Sequence, residues 1–385
     1  MSISFDLDTL NINITKEEDD MNKVSISALE LCSMMLLFLT GSTIVVGLNF
    51  TAMEDSILAV ALETGFGIVL FYFYLLLIKR SSWKEFIPLL EMGFGSLLSK
   101  ILAVVFSLYF LYIAGRVMND FAFFTTQILY PNAPNWVISI PFLLVVGYCI
   151  MLGIEAVARS AIIMTFFSFM ILVPLWLLGF LSDEFEAKYL QPFFSQGWEP
   201  IKEMIFPTGL SFPYGELVVF LVILPIIAEK EKLIRVVWIP IVIAGLIMMI
   251  TMELIIGLLH APFANTFYFP FVKALELVTY LGIIEHLEIF TYLLLIGGGL
   301  MKLTVFLYAA QVVLTQLFKL KQKSWHLLIL MAAVHLLSLY RSEDIAEHLY
   351  LGLKLVPYYL HIPLQFIIPL ILGGVIFWKT RKRKA

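Results

Sequence analysis

Residues 208–227 read TGLSFPYGELVVFLVILPII. Pro213, Gly215 and Glu216 stand at the mouth of a run greasy enough for lipid. Proline lacks an N–H and disfavours helical geometry at Phe212, while Gly209 and Gly215 permit unusual torsions. The conflict disappears if Pro213 opens a new helix, where its missing donor has no partner to lose. From Pro213 to the end of the run at Ala228 is roughly 23 Å of helix, so the break falls inside a bilayer. Bare backbone is not tolerated against lipid, so the break must line a cavity within a bundle.

The rest of the chain agrees that lipid is the solvent. Of 385 residues, 61% are hydrophobic and 14% charged, with 33 Phe and 16 Met; a soluble domain is roughly 45–50% apolar and about 25% charged. A spanning helix needs about 20 mostly apolar residues. Ten such runs are found, at 26–50, 56–78, 97–129, 135–154, 158–181, 208–228, 236–259, 286–318, 324–340 and 356–378. The predicted fold is therefore an all-α polytopic membrane protein of about ten transmembrane helices. Its domains are an acidic, disordered cytoplasmic tail at 1–23, a transmembrane domain at 24–378 and a basic cytoplasmic tail at 379–385.

Charge tests this count. With both termini cytoplasmic, the inner connections collect Lys79, Arg80, Lys84, Lys100, Arg159, Lys230, Lys232, Arg235, Lys319, Lys321 and Lys323, and the ending KTRKRKA adds five more. The outer connections hold only Lys188, Lys202, Lys273, Arg341 and Lys354. That asymmetry follows the positive-inside rule and favours an even number of spans. The stretch FYFPFVKALELVTYLGIIEHLE, 267–288, has too many apolar residues for a free loop and predicts a short helix along the surface before span eight.

A second interruption lies in span one, where LTGSTIVVG carries Gly41, Ser42, Thr43 and Gly47. Close helix packing through small residues is one reading. The other treats it as the partner of Thr208, Gly209, Ser211, Phe212, Pro213, Tyr214, Gly215 and Glu216, five spans away. Corresponding breaks in two halves mark the binding site of an inverted-repeat transporter. Free N–H groups at a half-helix start seat an anion such as a carboxylate. A ligand's ammonium then needs carbonyls of span one or the carboxyl of Glu216; the other reading of Glu216 is an internal acid that caps its own helix start.

Other polar groups stand at depth, where charge is costly unless paired or wet. Arg116 and Asp120 are four apart and share a helix face, with Tyr109 and Tyr112 on the turns before them and Asn119 beside them. Glu63, Glu253 and Lys302 are further buried charges, Lys302 following the glycines 297–299. Glu155 and Arg159 read as a clasp at a turn. Cys32 and Cys149 have no metal or redox spacing, no metal-ligand spacing joins the six histidines, and no catalytic motif is found. No enzyme activity, metal, cofactor or nucleic-acid partner is expected; the basic end reads as an anchor on anionic lipid.

With these residues in view, FPYGELVVFLVILP, GRVMNDFAFFTTQIL and EAVARSA resemble the B subunit of spore germinant receptors, the GerAB-type endospore germination permeases of the amino acid–polyamine–organocation superfamily. The resemblance spans about residues 24–378 and is most specific at FPYGE. It implies an inverted-repeat transporter core with helices one and six discontinuous, A-type and C-type partner subunits, the spore inner membrane, and recognition of a small nutrient, commonly an amino acid. The family's span-six acid corresponds to Glu216. Its span-one glycine region corresponds to Gly41–Gly47, although no proline follows VVGLNF here. Two activities fit: a receptor subunit that triggers germination, or a proton-coupled amino acid permease.

Overall fold

The computed structural model describes residues 24–47, 49–130, 133–194, 196–279, 286–320, 324–339 and 350–382. The acidic leader therefore lies outside the described residues. The main helices are α1 (Ala28–Thr40), α2 (Ser56–Arg80), α3 (Phe86–Phe124), α4 (Asn135–Met151), α5 (Ile154–Phe180), α6 (Trp198–Met204), α7 (Lys230–Val236), α8 (Trp238–Leu259), α9 (Ala261–Ala264), α10 (Pro270–Glu276), α11 (Ile289–Phe318), α12 (Ser324–Leu339) and α13 (Ile368–Lys382). Among the described residues, eight helical segments are long and apolar enough to cross a membrane, and Asn135–Met151 and Trp325–Leu339 are shorter apolar helices. The chain is an all-α polytopic membrane protein. The two shorter helices coincide with the fourth and ninth predicted runs.

Helix α11 forms the centre, packing most extensively on α3 and also on α1, α5 and α4. Around it Phe38, Phe110, Phe220 and Phe306 interlock in the buried core, with Phe38 and Phe220 edge to face at 5.3 Å. The outer faces stay apolar: Ile163, Phe166, Phe167 and Met170 recur at helical spacing on α5 and are exposed. In water such a stripe would be a liability; in a bilayer it is the lipid-facing side.

Three sequence expectations are revised. The third span begins earlier, at Phe86, and its 39 residues include a kink at Gly95, whose φ of 75° leaves the helical region. Glycine has no Cβ to oppose that torsion, so the leading turns bend away and shorten the straight part. The sixth span also starts earlier, at Trp198, and is interrupted twice rather than once. Finally, the 267–288 stretch does contain a helix, α10, but Phe271, Val272, Ala274 and Leu275 are fully buried. They pack on α8 and on the irregular turn of span one, so protein rather than lipid covers that face.

The ends of spans one and six away from their breaks are joined directly. The Ile26 N–H donates to the Ile226 carbonyl at 3.1 Å, and the Ala228 N–H donates to the Ile26 carbonyl at 3.0 Å. Side chains reinforce this junction. Glu229 accepts the Ala28 N–H at 3.0 Å, and Glu155, paired with Arg159 at 3.4 Å, accepts the Ser25 N–H at 2.6 Å. The predicted Glu155–Arg159 clasp thus also holds the start of span one.

Candidate functional site

Helix α1 stops at Thr40. Its backbone continues through Gly41 and Ser42 into a wide π turn, Thr43–Gly47. Gly41 itself keeps helical torsions, φ −54° and ψ −57°. Its smallness serves another purpose, because its backbone lies against that of Gly298 on α11, and a Cβ on either residue would overlap the other's Cα. Of the three glycines 297–299, only Gly298 makes this contact; Gly299 faces open space. This close approach sets how near α11 comes to the span-one break.

Span six breaks where its prolines dictate. Phe206 and Phe212, each preceding a proline, have extended torsions of φ −118°, ψ 130° and φ −130°, ψ 124°. That is the region to which a following proline confines its neighbour. Helical structure resumes beyond Phe212 as a tight 3₁₀ run, Gly215–Val222, rather than the α-helix expected from the sequence. Tyr214 is fully buried and its hydroxyl meets Thr64 Oγ1 of α2 at 2.6 Å. Thr208 Oγ1 donates to the Leu353 carbonyl at 2.5 Å, tying the break to the turn Leu351–Leu355 that leads into the last span.

The breaks and α11 converge on one ion pair. Lys302 Nζ lies 2.6 Å from Glu216 Oε2, with the side chains 0% and 4% exposed. That oxygen lies off the direction of a good hydrogen bond, so this is a charge contact. A longer bond of 3.4 Å runs from Lys302 Nζ to Ser42 Oγ of span one. The ammonium also stands 4.2 Å from the centre of the Phe212 ring and 5.3 Å from that of Phe38. Desolvated cation–π contacts of this kind are worth about 2 kcal/mol. Lys302 therefore neutralises Glu216 while linking both interrupted helices.

Phe212 lines two cavities, one of which is also lined by Glu216. One is bounded by Arg116, Asp120, Glu216, Gly352 and His361, with about 50 Å³ open to the centres of water molecules. At about 10–15 Å³ of such volume per water, it has room for several waters or a group of that bulk. The Arg116 guanidinium lies against Gly352 there. The charges of span three thus face span six. His361, which the sequence left unassigned, extends this wall: its Nδ1 meets the Tyr109 hydroxyl at 2.7 Å, Gln365 Nε2 donates to that hydroxyl at 2.8 Å, and Tyr74 donates to the Gln365 carbonyl at 2.6 Å.

The other cavity holds Thr43, Asn49, Glu63, Thr208 and Gly209 against Met204, Met248 and Met252. Sequence reasoning had no signal for this grouping, because its members come from four spans. Some predicted residues stand apart. Glu253 is half-buried on α8 and lines neither cavity. Asn119 is buried, with its Oδ1 unpartnered among the described residues, and also lines neither, as does Tyr112. Ser211 is fully buried and its hydroxyl is likewise unpartnered. Cys32 and Cys149 are free thiols. Among the described residues no cluster of His, Cys, Asp and Glu could hold a metal ion.

Comparison with known proteins supplies context for this geometry. A family model described as spore germination protein, the spore permeases, matches residues 25–345. Spore germination protein KB of Bacillus subtilis (strain 168) is 29% identical over 94% of this chain and 98% of its own length. Spore germination protein B2 of the same organism is 24% identical over 74% of this chain and 77% of its own. Among solved structures, Mhp1, a nucleobase-cation-symport-1 family transporter in a closed conformation with bromovinylhydantoin bound, superposes with a TM-score of 0.53. It covers 94% of both chains at 13% identity, a likeness of fold alone.

Proposed function

The chain belongs to the spore germination protein family, and from that membership we propose that it is a nutrient-sensing subunit of a germinant receptor, binding a small molecule, an amino acid by preference. The observation that carries this reading is the convergence of Ser42, Phe212, Glu216 and Lys302 beside two internal cavities. Both interrupted spans and α11 contribute to that point, so a molecule bound there contacts elements able to move relative to one another. A ligand shifts such an equilibrium only by its difference in affinity for the two states. A-type and C-type subunits in the spore inner membrane would sense the shift, with both termini of this chain in the cytoplasm.

A second reading follows from the transporter-like fold: a proton-coupled amino acid permease using the same site. Two experiments separate them. Spores lacking the gene are screened against single nutrients, with complementation by the wild-type gene. The receptor reading expects loss of response to at least one nutrient and its recovery on complementation; unchanged response to every nutrient, in a strain without other receptors, contradicts it. The full chain in liposomes with an imposed pH gradient is then assayed for uptake of radiolabelled amino acids. Proton-driven accumulation favours the carrier.

A further inference from the structure

Glu216 is the acid that the sequence offers to a ligand's ammonium, yet it already faces the ammonium of Lys302 at 2.6 Å. The second carboxyl at this depth is differently placed. Glu63 projects from α2 into the cavity of Thr43, Asn49, Thr208 and Gly209 and is only 5% exposed. Its Oε1 has no hydrogen-bond partner among the described residues, and Thr43 Oγ1, 1% exposed as a residue, has none either. No Lys, Arg or His stands among the described residues lining that cavity. A buried carboxylate without a counter-charge is costly, so the site favours a cation brought from outside.

The walls select the kind of cation. Hard metal ions such as calcium take about six to eight oxygen ligands. Here Val60, Met204, Phe212, Met248 and Met252 line the wall without offering any side-chain oxygen. A primary ammonium has three N–H donors and needs only a few acceptors, which Glu63 and Thr43 supply. The space open to water centres is about 20 Å³, enough for one water-sized group at about 10–15 Å³ each. The methionine side chains, unbranched and with three rotatable bonds, are the wall best able to yield to an attached apolar body.

We propose that the Glu63 cavity is an ammonium-binding site for a small primary amine, in which Glu63 and Thr43 accept the ligand's N–H donors and Met204, Met248 and Met252 enclose its apolar part. This rests on the receptor reading only for the further step that the amine belongs to an amino acid.

The test uses the full chain in nanodiscs and three probes of matched shape: L-valine, isobutylamine, which lacks the carboxylate, and isovalerate, which lacks the amine. Binding is measured by thermal shift and calorimetry in wild type, Glu63→Gln and Glu63→Asp. Isobutylamine is expected to bind the wild type, to weaken at least tenfold in Glu63→Gln and to recover in part in Glu63→Asp, with isovalerate indifferent to both changes. A second measurement needs no variant: isobutylamine should protect Glu63 of the wild type from esterification by a diazo reagent, read by mass spectrometry. Equal isobutylamine affinity in wild type and Glu63→Gln, absence of isobutylamine binding, or absence of protection overturns the assignment. If all twenty proteinogenic amino acids fail to bind while isobutylamine binds through Glu63, the ammonium site stands and the amino acid receptor reading falls. If an amino acid binds equally to wild type and Glu63→Gln, the receptor reading stands and this site does not.

Discussion

Glu216 and Glu63 are both buried carboxyls beside the span-six break, on either side of Phe212. One has a built-in counter-ion; the other has none among the described residues lining its cavity. Glu216 is held by Lys302, whose ammonium also reaches Ser42 and two phenyl rings; it reads as part of the frame that keeps spans one, six and eight in register. Glu63 faces a small cavity with an unpartnered oxygen. The difference teaches that depth and charge alone do not distinguish a structural acid from a ligand-binding one. What distinguishes them is whether the protein itself supplies the partner.

The largest effect should come from breaking the paired acid. Lys302→Met leaves Glu216 buried without a counter-charge, which typically costs about 3–5 kcal/mol. Chemical unfolding of the purified chain should show that loss. Adding Glu216→Leu to Lys302→Met should restore most of it, because an apolar pair of similar volume replaces an ion pair at little net cost. A double variant as unstable as the single would sever Glu216 from Lys302 in this account.

Next is the contact that lets α11 reach the span-one break. Gly298→Ala drives a methyl into the Gly41 backbone, and overpacking of this kind costs about 1–3 kcal/mol. Gly299→Ala, facing open space inside the same helix, should be neutral or slightly stabilising in the same melting experiment. Similar losses in both variants would mean that the loss does not come from the Gly41 contact, since alanine otherwise stabilises a helix interior relative to glycine.

The unpaired acid should behave in the opposite sense. Glu63→Met removes a buried carboxyl whose Oε1 has no partner among the described residues, a cost of about 1–3 kcal/mol, so the ligand-free chain should become more stable. A destabilised variant would place a partner on Glu63 and erase its contrast with Glu216.

The smallest effect lies at the junction of spans one and six. The Lys232 ammonium, 2.9 Å away, and the Ala28 amide hold the Glu229 carboxyl below its usual range. A carboxyl whose folded value is depressed contributes fully above its unfolded value, and that contribution fades as pH falls through the lowered one. The wild type should therefore lose slightly more stability than Glu229→Gln on acidification below the ordinary carboxylate range. Parallel pH profiles would remove Glu229 from the junction.

These contrasts also mark what the sequence could reveal. The break at Phe212 was legible because proline and glycine act on their own neighbours, and the apolar runs were legible because lipid demands them. The tight 3₁₀ continuation was not, since it packs against α2 and the last span; the second break, at Phe206, obeys the same proline rule through Pro207 but lies ahead of the predicted start of the span at Thr208. Lys302 was visible as a buried charge, but its partner stands 86 positions earlier and no local rule connects them. The grouping of Glu63, Thr43 and Thr208 was hidden for the same reason. His361 was passed over because its partner, Tyr109, belongs to span three, 252 positions earlier.

Hydrogen exchange by mass spectrometry on the full chain in nanodiscs tests the central claim most directly, by comparing residues 208–215 with the uninterrupted helix α8. The account predicts faster exchange at Gly209–Phe212 than within α8, slowed when a bound nutrient fills the adjoining cavities. Exchange at 208–215 as slow as in α8, and indifferent to every nutrient tested, would contradict it.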